Sequence, residues 1–139
     1  MSSEAENVRI LRGAYEAWEA KKASDIDCWM DIVDEDARLT SLADGAAPLP
    51  FSRRRSGRSE IVEYLQDLID TWEMIFYRVD EYVAEGDRVV AIGSAAWRNK
   101  LTKKIATTPK IDIWRMKDGK VVEFSEFYDT ARLYAASEP

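Results

Sequence analysis

Histidine is absent from this chain of 139 residues, and cysteine occurs once, as Cys28. The chain therefore has no Ser-His or Cys-His pair for nucleophilic catalysis and no imidazole to bind zinc or haem. One cysteine forms no internal disulfide and no Cys-x-x-Cys metal or redox site. Acid–base chemistry would have to use Asp, Glu, Tyr, Lys or Cys side chains with shifted pKa values. The strongest candidates are two carboxylates, Asp112 and Glu126.

Asp112 and Glu126 fall on the apolar faces of two predicted strands. Because side chains alternate between the two faces of a strand, Asp112 shares a face with Trp114. On the next strand, Glu126 shares a face with Phe124 and Tyr128 by the same rule. A tight Asp-Gly turn joins the two strands, so we expect the two carboxylates to be neighbours.

A carboxylate on an apolar face costs several kcal/mol if it stays charged and unpaired. A second carboxylate nearby raises the pKa of one of the two further, so that one group can donate a proton while the other accepts. The pattern thus predicts a ligand-binding or catalytic pair. The alternatives are that Arg98 or Arg115 neutralises the carboxylates, or that water reaches both.

Three further features allow two interpretations each. Small residues at 93–96 indicate either close packing or a strand bend that leaves space for a ligand. Trp97 and Trp114 are either walls of a pocket or ordinary core residues. Four arginines concentrate in one loop, where they either attract an anionic substrate or are simply solvated: Arg53, Arg54, Arg55 and Arg58.

The composition is that of one folded domain, with 46% hydrophobic and 33% charged residues. The formal net charge of −6 disfavours general nucleic-acid binding. The first twelve residues contain no apolar run, so neither a signal peptide nor a membrane segment is predicted there. A cytoplasmic protein without membrane partners is the expectation.

Helices are predicted first and strands later, which is typical of an α+β fold with helices on one face of a curved sheet. An amphipathic helix is predicted to about Ala20, a short one near 24–33, and a third over 59–72. Predicted strands cover 37–42, 76–84, 88–99, 105–116 (which Pro109 could interrupt) and 120–128, with a short helical tail at 129–136. Residues 43–58 are predicted to be irregular.

The order and spacing of three segments resemble those of the NTF2-like superfamily, particularly its SnoaL-like and ketosteroid-isomerase-like branch. These segments are Tyr15 with 24–39, the Gly-Arg-Ser-Glu-Ile run at 57–61, and 111–129. The resemblance implies a single domain over 1–139 with the NTF2-like (cystatin-like) α+β barrel fold. In that fold, a mixed sheet curves into a cone around the N-terminal helices and encloses an apolar pocket. It implies no metal and no organic cofactor.

The resemblance also implies roles for particular residues. Asp112 matches the aspartic acid that hydrogen-bonds the oxyanion in ketosteroid isomerase, and Tyr15 lies near the position of its oxyanion tyrosine. Ser41 stands at the position of the general base, where a serine cannot remove a carbon-bound proton at neutral pH. The pocket is expected to be lined by Trp97, Trp114, Ser41, Phe124 and Tyr128.

The implied function is isomerisation, cyclisation or hydration of a small apolar molecule, with Asp112 and Glu126 as the acid–base pair and Tyr15 assisting. An epoxide-hydrolase-like variant would combine Glu126 with Arg98. The alternative is a non-catalytic ligand-binding or dimerisation module. Homodimers through the outer sheet face are common in the superfamily, and Ile111, Ile113 and Val121 are predicted to face outward there.

Overall fold

The computed structural model describes residues 3–139. Its helices and strands follow the predicted order: α1 (Ser3–Ala20), α2 (Asp27–Met30), β1 (Val33–Ser41), a short 3-10 helix (Pro50–Ser52), β2 (Arg55–Ser56), α3 (Arg58–Thr71), β3 (Trp72–Glu85), β4 (Arg88–Asn99), β5 (Ile105–Lys117), β6 (Lys120–Tyr128) and α4 (Thr130–Ser137). None of the helices within this range is long and apolar enough to cross a membrane.

The six strands form one mixed sheet in the order β2-β1-β6-β5-β4-β3. Every neighbouring pair is antiparallel except β1 and β6, which run parallel. The predicted α+β architecture with a mixed sheet is therefore confirmed. The sheet stays open, with β2 and β3 at its edges, and does not close into a barrel.

Helices α1 and α3 cover the inner face of this sheet. Leu11, Tyr15 and Trp18 of α1 are buried, as are Leu65 and Leu68 of α3. Their spacing of three, four or seven residues places each set on one side of its helix. The apolar sides of the two helices and the inner face of the sheet thus form the core.

Strand β1 begins earlier than predicted, at Val33 rather than Ala37. The short second helix was predicted to extend to about residue 33, with no strand before residue 37. Instead, the Val121 amide donates a hydrogen bond to the Ile32 carbonyl oxygen, and Val33 pairs with Val121 of β6. Pairing with a distant strand therefore overrides the local sequence preference of this segment.

A bulge in β6 reverses the predicted orientation of Val121. The register shifts between the pairs Arg115–Glu123 and Met116–Val121, so Val122 has no partner in the β5–β6 register. The extra residue turns Val121 to the inner face, where it is 1% exposed. The prediction that Val121 faces outward is therefore wrong.

The small residues at 93–96 serve close packing between strands. A Cβ atom on Gly93 would lie 1.8 Å from the carbonyl oxygen of Arg78 on β3. Ala95 and Ala96 are almost fully buried. The backbone of β3, rather than a helix, fills the space beside Gly93, which leaves no room for a ligand there.

Replacing Gly93 by alanine should lower the free energy of unfolding by about 1–3 kcal/mol, because backbone atoms must move to admit the methyl group. The matched control is Gly13→Ala in α1, where a Cβ atom meets nothing within 4 Å. That exposed helical site should gain about 0.5–1 kcal/mol. Urea unfolding of both variants measures the difference, and a Gly93→Ala protein as stable as wild type would contradict the packing argument.

Candidate functional site

A cavity of about 90 Å³, partly open to solvent, lies between the helices and the inner face of the sheet. Its walls are rich in aromatic residues and include all five tryptophans of the chain. The aromatic residues that line it are Tyr15, Trp18, Trp29, Phe51, Tyr64, Trp72, Tyr77, Trp97, Trp114, Phe124 and Tyr128. Three charged residues, Lys110, Asp112 and Glu126, lie in the same wall and are at most 8% exposed.

Asp112 accepts three hydrogen bonds, from residues on α1, β3 and its own strand β5. Its Oδ2 atom accepts from the hydroxyl of Tyr15 on α1 and, at 2.6 Å, from the hydroxyl of Tyr77 on β3. Its Oδ1 atom lies 2.5 Å from the Lys110 ammonium. The Tyr15 hydroxyl is itself oriented by the Trp114 indole N–H, which donates to it at 2.8 Å. The predicted link between Tyr15 and Asp112 is therefore a direct contact.

Glu126, on the neighbouring strand β6, has a similar set of partners. It pairs with Asp112 in the β5–β6 register. Its Oε2 atom accepts hydrogen bonds from the hydroxyls of Ser41, at 2.7 Å, and Tyr64, at 2.8 Å. Its Oε1 atom lies 2.9 Å from the Lys110 ammonium. The tight turn thus brings the two carboxylates side by side, as the strand pattern predicted.

Lys110 connects the two carboxylates. Its ammonium nitrogen binds Asp112, Glu126 and the Tyr77 hydroxyl oxygen, the last at 2.9 Å. The contacts with Asp112 and Tyr77 are hydrogen bonds, and the contact with Glu126 is an ion pair. We call Lys110, Asp112 and Glu126, together with the hydroxyls that bind them, the charged cluster.

The surroundings keep the charged cluster's donors protonated. Burial lowers the Lys110 pKa, but the charges of Asp112 and Glu126 outweigh it and hold that pKa well above its usual value. Burial, with a carboxylate beside each hydroxyl, raises the pKa of Tyr15, Tyr64 and Tyr77 well above the usual range. These groups therefore act as hydrogen-bond donors at neutral pH.

Most of the predicted pocket residues lie where the sequence placed them. Trp97, Trp114, Phe124 and Tyr128 line the cavity. Ser41 is not part of the lining and instead lies behind Glu126, with its Oγ atom 2.5 Å from the Tyr128 hydroxyl. Because Ser41 donates to Glu126, the Tyr128 hydroxyl donates to Ser41.

The arginines that were candidates to neutralise the carboxylates lie elsewhere. Arg98 pairs with Glu73 at 2.9 Å, and Arg115 pairs with Asp87 at 2.8 Å, on the outer surface. Both expectations are wrong, and so is the arrangement of Arg98 with Glu126 on which an epoxide-hydrolase-like site would depend. The strand positions explain this, since odd-numbered Arg115 faces away from even-numbered Asp112.

Sequence reasoning missed Lys110, although the signal was available. Lys110 precedes Asp112 by two residues and so belongs to the same strand face. The interruption considered at Pro109 obscured this, but β5 runs through Pro109, which pairs with Ser94. Tyr64 and Tyr77 were also missed, because their partners are distant in sequence.

Each arginine of the 53–58 loop has a partner within the protein. Arg55 is buried, and its guanidinium binds the Asp67 carboxylate at 3.0 Å and the Phe51 carbonyl oxygen at 3.1 Å. The other pairs are Arg53 with Glu63, Arg54 with Asp44, and Arg58 with the Val33 carbonyl oxygen. Neither anion attraction nor simple solvation describes Arg55, which anchors the loop that carries Phe51 to the cavity.

Comparison with known proteins agrees with the resemblance. The sequence matches the model of the SnoaL-like domain over residues 11–124, which is most of the chain. The protein therefore belongs to the SnoaL-like domain family. No curated protein matches it. Within residues 3–139, no group of three His, Cys, Asp or Glu side chains is placed to hold a metal ion.

Three solved structures show the same fold. One is an NTF2-like protein of unknown function from Burkholderia pseudomallei K96243, 22% identical over 100% of both chains with a TM-score of 0.82. Another is TerC, co-crystallised with polyporic acid, 20% identical over 94% of this chain and 96% of that chain, with a TM-score of 0.77. The third, from Jannaschia sp. CCS1, is described as a candidate SnoaL-like polyketide cyclase, 19% identical over 100% and 98%, with a TM-score of 0.76.

Replacing Lys110 by methionine should lower the free energy of unfolding by about 3–5 kcal/mol, because two buried carboxylates lose their shared cation. The matched control is Lys117→Met, at an exposed position on the same strand, which should change stability by no more than about 0.5 kcal/mol. Urea unfolding at pH 7 measures both. A Lys110→Met protein that matches the control would show that Lys110 does not neutralise the cluster.

The pH dependence of stability reports on the same interaction. Lys110 and the tyrosines Tyr15, Tyr64 and Tyr77 have folded-state pKa values above their usual 10.5 and 10.0, so the folded protein keeps protons that the unfolded chain releases. These groups contribute to the free energy of unfolding in full below about pH 10, and the contribution is lost as the pH rises through their folded-state pKa values. Wild-type stability should therefore fall above about pH 10, and less steeply in Lys110→Met.

Proposed function

We propose that the protein binds a small, largely apolar molecule in the aromatic cavity and moves a proton on it, as an isomerase, cyclase or hydratase that needs no cofactor. One observation carries this proposal: three charged side chains are buried in the wall of an apolar cavity. Well-packed apolar residues at these positions would commonly be as stable or more stable. The burial of such groups in a cavity is typical of functional sites.

The cluster leaves two atoms able to accept a proton or a hydrogen bond from a ligand. Among the described residues, the Lys110 ammonium is the only polar partner of Asp112 Oδ1, through a hydrogen bond, and of Glu126 Oε1, through an ion pair. A carboxylate oxygen has two lone pairs, so each of these atoms retains acceptor capacity. We therefore assign the acid–base roles to Asp112 and Glu126, with Tyr15 orienting Asp112.

A non-catalytic binding module is the second candidate. Ser41 occupies the position at which the resemblance places a general base, and its hydroxyl is committed to Glu126. A serine in that contact supports the charged cluster and cannot remove a carbon-bound proton. The same cavity could then hold a ligand without changing it, so the fate of a bound compound separates the two candidates.

Two small neutral probes test the proposal: 3-cyclohexen-1-one, for isomerisation to the conjugated ketone, and 1-methylcyclohexene oxide, for hydration to the diol. Because every tryptophan lines the cavity, binding should change the intrinsic fluorescence. Wild-type protein should convert at least one probe, as measured by chromatography. The rate of that conversion should fall by about a hundredfold or more in Asp112→Asn. Asp87→Asn, at the surface, is the matched control and should keep wild-type turnover.

The outcomes separate the candidates. Probes that bind and are recovered unchanged would favour the binding module. Probes that neither bind nor react would contradict the proposal that the cavity takes small apolar molecules. Turnover that is equal in wild type and Asp112→Asn would remove Asp112 from the mechanism.

We also propose that the protein forms a homodimer through the outer face of the sheet. Ile111 and Phe127 are paired neighbours on β5 and β6, and they are 39% and 40% exposed. Ile113 is half-buried on the same face. Together they form an apolar patch that a second copy could cover.

Ile111→Glu should shift the protein from dimer to monomer in sedimentation velocity runs, since a buried carboxylate opposes association. The matched control is Leu101→Glu, which changes an 89% exposed leucine outside the sheet. It should leave the dimer intact. A wild-type protein that sediments as a monomer at high concentration would contradict the dimer.

A further inference from the structure

The charged cluster carries one more negative charge than positive charge. Asp112 accepts three hydrogen bonds, and Glu126 accepts two and forms an ion pair with Lys110. Acceptor-only contacts of this kind are those of ionised carboxylates, and Lys110 supplies the one cation of the cluster. The remaining charged group of the lining, Arg38, points away, because its guanidinium pairs with Glu123 at 3.0 Å and its side chain is 67% exposed.

A proton shared between the two carboxyl groups would remove the surplus, but the contacts do not show one. In the part of the chain that the structure describes, both Asp112 and Glu126 bond to Lys110 and to hydroxyl donors, and no hydrogen bond joins them directly. The surplus negative charge therefore faces the cavity, where low polarity makes it costly unless a positive charge approaches.

The aromatic cavity walls also favour a positively charged ligand. Aromatic faces carry partial negative charge, so they attract cations and repel anions. The cavity already shows this with its own lysine: the Lys110 ammonium lies 5.3 Å from the ring centroid of Tyr77 and 5.7 Å from that of Phe124. The Lys110 ammonium is already paired with both carboxylates and with the Tyr77 hydroxyl, so it is not free to bind an acidic ligand.

We infer that the cavity takes a small alkylated ammonium group, with methyl groups against the aromatic walls and its positive charge beside Asp112 and Glu126. The apolar surface of such a group fits the walls, and its charge offsets the surplus of the cluster. A volume of about 90 Å³ restricts the enclosed part to a few heavy atoms. This inference rests on the proposed binding function and specifies the class of ligand.

Three probes of almost equal shape test it: choline, its neutral isostere 3,3-dimethyl-1-butanol, and the anionic 3,3-dimethylbutanoate. Binding is measured by tryptophan fluorescence and calorimetry at constant ionic strength. Choline should bind at least about tenfold more tightly than the neutral alcohol, as expected for a desolvated cation on aromatic faces. The anion should bind most weakly.

The charge of the cluster is then changed without changing its shape. Asp112→Asn and Glu126→Gln each remove the surplus negative charge, so either variant should reduce the preference for choline over the alcohol to about threefold or less. Asp87→Asn, whose carboxylate pairs with Arg115 at the surface, is the control and should keep the wild-type preference. The two cluster variants change different strands, so if one variant does not fold, the other still tests the inference.

Equal affinity for choline and the neutral alcohol in the wild type would overturn the inference while leaving the proposed binding of small apolar molecules intact. Binding of 3-cyclohexen-1-one without any binding of choline would likewise overturn the inference and leave the proposed binding of small apolar molecules intact. Failure of choline, the alcohol and the cyclohexene probes together would overturn both. A preference for choline that persists unchanged in both cluster variants would show that the charged cluster is not its cause.

Discussion

The ammonium of Lys110 is the interaction on which the interior of this protein depends. It lies between two carboxylates on adjacent strands, 2.5 Å from one and 2.9 Å from the other. Without it, Asp112 and Glu126 would be neighbouring buried charges of the same sign, which is among the most costly arrangements in a protein interior. The lysine makes that arrangement stable, while one negative charge remains.

The rest of the fold supplies the hydroxyls that complete the cluster. Tyr15 comes from α1, Ser41 from β1, Tyr64 from α3 and Tyr77 from β3. Residues from both main helices and from strands at separated positions in the sheet must therefore be in place together. A fully satisfied polar network of this kind favours a single packing of the helices on the sheet, because any other packing would leave buried groups without partners.

The sequence was a good guide to what depends on local pattern and a poor guide to what depends on distant pairing. Strand alternation and the Asp-Gly turn placed Asp112 beside Glu126 correctly, because both follow from geometry within one hairpin. The bulge that turns Val121 inward and the early start of β1 both arise from pairing between strands that are far apart in sequence. Lys110 was within reach of the alternation rule and was hidden by the proline before it.

The sign of the cluster's charge also limits the chemistry that the fold could support. The resemblance to ketosteroid isomerase implied a neutral carboxylic acid at position 112 that donates to an oxyanion. Here Asp112 accepts hydrogen bonds from Tyr15, Tyr77 and Lys110, and none of these contacts is a donation by Asp112. Negative charge that develops on a substrate would be repelled by the surplus charge, whereas positive charge would be stabilised. Of the two probe reactions proposed above, epoxide hydration, whose transition state gains positive charge at carbon, is therefore favoured over ketone isomerisation, which passes through an enolate and for which Ser41 supplies no base.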